Sequence, residues 1–320
     1  MTRLQLERHQ VWVYLAAILA GLGLGGWLPV LGAQLASLLW PLLALLLYVT
    51  FTQVPLARLP AAFRDGRFIA AVLIGNFLLI PLLVWGLIQF LPESPALRLG
   101  VLLVLLVPCT DWYITFTHLG RGDARRAIAV TPVNLLVQLM LLPVYLWLFM
   151  GEAEVAVIDH RPLVGALFGV VLLPLSLAFL SQRVVAKRPQ RQAWLDWLGG
   201  WAVPLLAGVV FLIAASQVQV VAGALFELGR VLVVFAAFLL GAAVLGRVLS
   251  QLFRLPVPAG RALIFSLGTR NSFLVLPIAL ALPPAWEMAV VVIVLQSLVE
   301  LFGMLVYLKW VPSKLLADVR

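Results

Sequence analysis

Charge is scarce in this chain. Only 11% of its 320 residues are charged while 64% are hydrophobic, which excludes a soluble globular domain and a disordered segment alike. Cysteine is scarcer still: Cys109 is the only one, so there is no internal disulfide framework. Low-complexity segments and a separate soluble domain are missing as well. No nucleophile–base pair and no cluster of metal-ligating side chains can be picked out, so neither an enzyme, a cofactor nor a bound metal is expected. What the chain has instead is a series of apolar runs, each long enough to cross roughly 30 Å of hydrocarbon. It reads as an all-α polytopic membrane protein.

The formal net charge is +9, but the basic residues sit in short loops between apolar runs, an orientation signal rather than a nucleic-acid surface. Ten spans fit, near 10–28, 34–53, 68–91, 97–119, 125–149, 162–182, 199–219, 228–251, 260–282 and 286–309. Arg58, Arg64, Arg121, Arg125, Arg126, Lys187, Arg188, Arg191, Arg254 and Arg261 then fall on one side, and Glu93, Glu152, Glu154 and Asp159 on the other. This arrangement predicts a multi-pass protein of the plasma (inner) membrane with both termini cytoplasmic. MTRLQLERHQ lacks a small-residue cleavage site after it and reads as the start of a retained first helix. Five spans leave the chain outside, so spans six to ten begin with opposite topology to spans one to five. Residues 1–160 and 161–320 are therefore expected to form two inverted five-helix repeats.

The fourth span carries Pro108, Cys109, Thr110 and Asp111 where an apolar run should continue. Proline removes a backbone donor and clashes with the preceding turn, so the helix is expected to break there. Freed backbone groups must be satisfied by protein or by a water-filled cavity. The ninth span has a matching irregularity at Gly268-Thr269-Arg270-Asn271-Ser272, half a chain away. Interrupted helices at equivalent places in two halves point to a transporter binding site.

Three ionisable residues lie inside spans: Asp111, Arg270 and Glu300. Arg270 sits roughly 14 Å from the inner end of its helix at 1.5 Å per residue, too deep to reach water easily. It needs a partner, and Asp111 at the equivalent break is the expected one, in a direct pair or a shared network. Glu300 has no obvious fixed cation and is the better proton carrier if Asp111 is held by Arg270. Thr110, Tyr113, Thr115 and His118 surround the first break; Thr131, Asn134 and Gln138, and then Gln296, Ser297 and Glu300, form further polar stripes. With Thr269, Asn271 and Ser272 around Arg270, four stripes together suggest a hydrated cavity, although interhelical hydrogen bonding can account for any one. Gly120-Arg121-Gly122-Asp123 spells the GxGD string of intramembrane aspartyl proteases, but it lies in a basic loop with no second aspartate at suitable depth.

PCTDWYITFTHLGRGD, continued by TPVNLLVQ, resembles the arsenite efflux permeases of the bile acid/arsenite/riboflavin transporter superfamily. Pro108, Cys109, Thr110, Gly122, Asp123 and Asn134 match the fourth and fifth spans of that family, Asn271 and Phe273 the ninth, and Leu298-Val299-Glu300 the tenth. The resemblance implies a core of helices 3–5 and 8–10 built around crossed, discontinuous helices 4 and 9, beside a panel of helices 1–2 and 6–7. It also implies arsenite or antimonite efflux in exchange for protons, with Cys109 handling the metalloid. Two family carboxylate positions are Leu135 and Leu274 here, while Asp111 and Arg270 stand where the family has small or neutral residues.

These readings place substrate contacts at Cys109, Thr110, Asp111, Asn134, Thr269, Arg270, Asn271 and Ser272, and proton coupling at Glu300 or Asp111. The alternative is a bile-acid-type organic anion or oxyanion carrier with Arg270 as its anion site, in which Arg270 could also stand in for sodium. The expected partners are the bilayer, a small inorganic or anionic substrate and a coupling proton or sodium ion.

Overall fold

A computed structural model describes residues 3–54, 65–150, 165–186 and 192–317. The expected boundary between halves at 160/161 lies outside the described residues, as do Arg58, Arg64, Lys187, Arg188 and Arg191.

Among the described residues the chain is all helical. Eight helices among those residues are long and apolar enough to cross a membrane: α1 (His9–Trp27 of a helix beginning at Arg3), α2 (Pro29–Gln53), α3 (Gly66–Ile88), α6 (Ala124–Met150), α7 (Leu167–Ala186), α8 (Gln192–Ser216), α9 (Leu225–Leu252) and α12 (Pro284–Leu315). The fourth and ninth expected spans are each interrupted. The first consists of α4 (Pro95–Leu105) and α5 (Trp112–Leu119), the second of α10 (Val257–Gly268) and α11 (Ser272–Leu280).

The chain clusters into two compact units. One comprises residues 1–53, 158–225 and 273–294. Inside it, α1 lies against α8 at backbone distance: a β-carbon on Gly25 would fall on the carbonyl oxygen of Ala215. Small residues permit this approach where lipid gives helices no hydrophobic drive to associate. Polar side chains add cross-links between α2 and its neighbours. The Tyr48 hydroxyl lies 2.9 Å from Ser181 Oγ, and Gln182 Nε2 donates to the carbonyls of Phe51 and Thr52 at 3.1 and 3.0 Å. Trp194 and Trp197 are exposed near the start of α8.

The other unit comprises residues 54–157, 226–272 and 295–320. It contains α3 to α6, α9, α10 and the later part of α12, and with them both helix breaks. Halfway along α3 the backbone widens into a π turn over Gly75–Leu79, an irregularity that often accompanies function. Here it presents the fully buried Asn76. Gly75 allows α10 to come close, since a β-carbon there would lie 2.7 Å from Leu267 Cδ2.

The GRGD loop in the same unit is a structural turn. Asp123 Oδ1 accepts from the backbone N–H groups of Arg125 and Arg126 at 3.1 Å, capping α6. Its other oxygen pairs with Arg126 at 2.8 Å, and Arg126 reaches Asp65 Oδ2 at 2.6 Å. Arg121 occupies left-handed backbone space at φ 57°, and its carbonyl accepts from Arg261. Arg261, assigned by position to a basic loop, is instead buried, and its guanidinium also holds the carbonyl of Leu316 at 3.0 and 2.8 Å.

Candidate functional site

Pro108 has no N–H to continue α4, so the helix gives way to a short irregular stretch until Asp111 restarts a helix by accepting the N–H of Trp112 at 2.7 Å. The second break is built from different residues with the same result. Thr269 turns extended after Gly268 (φ −107°, ψ 141°), and α11 begins at Ser272. The two breaks meet. Pro108 and Arg270 form an antiparallel backbone bridge, in which Cys109 N donates to Thr269 O at 3.2 Å and Asn271 N to Val107 O at 2.8 Å. Each break thus supplies the partners the other lost, satisfying the rule that backbone polar groups at membrane depth must be met by protein.

Side chains extend the junction. Asn271 Nδ2 donates to Thr110 Oγ1 at 3.0 Å, and the Cys109 thiol donates to Asp111 Oδ1 at 3.0 Å. Glu300, from α12, is almost completely buried and receives three donors: Trp112 Nε1 at 3.0 Å on one oxygen, with Arg270 N at 2.8 Å and Gln296 Nε2 at 2.6 Å on the other. Gln296 in turn accepts from Ser272 Oγ at 2.8 Å. Glu300 therefore ties three elements together: the start of α5, the second break and its own helix.

Of the two expected arrangements, the direct Asp111–Arg270 pair does not form, whereas Trp112 and Glu300 link Asp111 to the Arg270 backbone in a shared network. The Arg270 guanidinium, fully buried, donates instead to four neutral oxygens: Leu105 O at 3.2 Å, Asn76 Oδ1 at 2.8 Å, Ser266 O at 3.0 Å and Leu267 O at 2.8 Å. Phe238 offers its ring face 5.4 Å from the guanidinium carbon. A charge at mid-bilayer depth costs about 2.5–3.5 kcal/mol on insertion scales. Four hydrogen bonds from a charged donor, at about 1.5–3 kcal/mol each, are enough to offset it. The ion pair fails because Arg270 points back along α10 toward the carbonyls of its own last turn, while Asp111 faces Trp112 N and Cys109. The carboxylate that does reach residue 270 is Glu300, through the backbone N–H.

Most of the sequence-named side chains spend their polar atoms on one another or on nearby backbone. Thr269 Oγ1 donates to Phe265 O at 2.7 Å, Ser272 serves Gln296, and Thr110 serves Asn271. Asn134 differs. Both its amide atoms and both of Gln138's, one turn further along α6, are buried without a protein partner among the described residues. One turn before Asn134, the Thr131 hydroxyl lies 2.8 Å from the Tyr113 hydroxyl. His118 is exposed.

Sequence reasoning missed Asn76 and Trp112. An asparagine interrupting the apolar run FIAAVLIGNFLLIPLLVW was the available signal for the first. Nothing in the sequence marked the indole as a donor to Glu300.

Among the described residues no group of three or more His, Cys, Asp or Glu side chains could hold a metal ion. Residues 40–224, more than half of the chain, match the model of the sodium bile acid symporter family. The matched stretch includes the first break and Asn134 but ends before Arg270 and Glu300. No curated protein matches the chain.

Proposed function

The chain belongs to the sodium bile acid symporter family, and from that premise we propose a secondary transporter that extrudes arsenite or antimonite in exchange for protons by alternating access. The broken helices act as the fourth and ninth of ten, in two inverted five-helix repeats, within a plasma membrane and with both termini cytoplasmic. Helices 3–5 and 8–10 form the core and helices 1–2 and 6–7 the panel. The observation that carries the substrate reading is the seat of the only cysteine. Its thiol is one residue from the backbone bridge and hydrogen-bonded to a carboxylate, a soft ligand for a trivalent metalloid with an adjacent acceptor for its proton. Asn134 and Gln138, buried and without a protein partner among the described residues, are placed to meet the hydroxyls of a neutral trihydroxide. Glu300, joined by hydrogen bonds to both breaks, carries the exchanged proton.

The organic-anion alternative places the anion on Arg270. Four protein oxygens already hold its two terminal nitrogens, Nε is without a partner among the described residues, and an anion would have to reach a side chain with no exposed surface. We therefore prefer the metalloid reading.

Expression in an arsenite-sensitive bacterial strain tests it. Wild type is expected to restore growth on arsenite and Cys109→Ser to fail at equal expression. No rescue by a well-expressed wild-type protein would refute metalloid efflux, and equal rescue by Cys109→Ser would remove the thiol from the mechanism.

A further inference from the structure

We propose that the Arg270 guanidinium is a tethered cation filling a four-oxygen cation site at the joined helix breaks, so that no sodium ion is needed there. Three observations carry this. The first is the kind of ligand. Three backbone carbonyls and one amide oxygen, all neutral, surround the guanidinium, and rings of such oxygens replace the hydration shell of alkali cations in membranes. Nη2 alone lies 2.8, 2.8 and 3.0 Å from three of them.

The second is position. Leu105 ends α4, and Ser266 and Leu267 lie in the last turn of α10. Two half-helices thus direct their carbonyl ends, where the dipole is negative, at one point. In transporters with broken helices such C-terminal ends coordinate the coupling cation.

The third is that the cage is completed by elements other than the breaks. The π turn of α3 supplies Asn76, whose Nδ2 is anchored on Ser266 Oγ at 3.1 Å, and α9 supplies the Phe238 ring. Arg270 brings a positive charge into this cage on a covalent arm, and the charge cannot leave during a transport cycle. The consequence for coupling, that sodium is not carried through this site, rests on the transporter reading above; the occupancy of the cage does not.

Thermal melting of the purified protein in nanodiscs tests the proposal without a substrate, so a failure of arsenite rescue leaves it standing. Wild type is expected to melt at the same temperature in sodium chloride and in choline chloride at equal ionic strength. Arg270→Ala is expected to melt lower and to recover by several degrees, saturably, when sodium, potassium or millimolar guanidinium is added. A sodium-specific rise in wild type overturns the proposal, as does an Arg270→Ala protein indifferent to every cation. Should Arg270→Ala not fold, Arg270→Lys is expected to fold where the neutral Arg270→Met does not. An Arg270→Met protein as stable as wild type overturns the need for a charge. If no variant folds, wild type alone decides: indifference to sodium supports the tethered cation.

Discussion

Replacing Glu300 by glutamine changes one atom and should cost far more than its size suggests. The carboxylate accepts from Trp112 Nε1, Arg270 N and Gln296 Nε2, two of these on the same oxygen. A glutamine amide has one oxygen and one NH2. If its oxygen faces Arg270 N and Gln296, its NH2 meets the indole donor. Turned round, it satisfies Trp112, and a flipped Gln296 can accept from the new NH2, but Arg270 N then has no acceptor. Either way one buried N–H is orphaned, at about 1–3 kcal/mol. At roughly 2–4 °C per kcal/mol for chains of some 150–250 residues, melting should fall by several degrees. Proton-driven exchange should be lost as well. The indole supplies the control: in a Trp112→Phe background the amide can point its NH2 at the ring, and the second substitution should cost less. A coupling energy of about 0.5–3 kcal/mol is the size expected for side chains in one network. Glu300→Gln with wild-type melting, additive with Trp112→Phe and still exchanging protons, would refute both the hydrogen-bond arrangement and the coupling role.

Three further outcomes can be checked. Asn76→Ala removes an acceptor from the Arg270 guanidinium and a donor from Ser266, and should lower stability by about 1.5–3 kcal/mol, read as a lower melting temperature. Asn134→Leu should leave melting unchanged or raised, because it deletes buried polar atoms without a partner among the described residues, yet abolish arsenite resistance; retained resistance would detach Asn134 from the substrate path. Burial pushes the Asp65 carboxyl up, but the hydrogen bond and charge of Arg126, with the Phe68 N–H and the charge of Arg67, outweigh it and hold it below the ordinary carboxylate range. A depressed folded value stabilises above the unfolded one and is lost as pH falls. The melting difference between wild type and Arg126→Gln should therefore be constant above about pH 5 and shrink below about pH 4, where ordinary aspartates protonate.

The helices and both breaks were legible in the sequence for physical reasons. Apolar runs of membrane length leave little else to form, and Pro108 and the polar run Thr269–Ser272 cannot continue a helix in lipid without help. That the segments around Pro108 and Arg270 meet also followed, since each needs partners. Which side chains meet was not legible. Asp111 and Arg270 have opposite charges at equivalent positions, but the backbone bridge aims one at the start of α5 and the other at the end of α10. The pairing of Glu300 with a backbone N–H depends on where α12 passes, and sequence spacing does not report that. Asn76 faces the guanidinium from within a π turn, and nothing in its neighbours announced one. The four polar stripes divided: Ser272, Gln296 and Glu300 hydrogen-bond among themselves, while Asn134 and Gln138 have side-chain atoms without a partner among the described residues.

The two-stranded junction at Pro108 and Arg270 has a consequence for how the protein loosens. Its amides at Cys109 and Asn271 each donate to a carbonyl from the opposite half of the chain. Neither can meet solvent deuterium while the other stays clasped, so the pair should exchange in lockstep, at one rate, however far apart the two peptides lie in the gene.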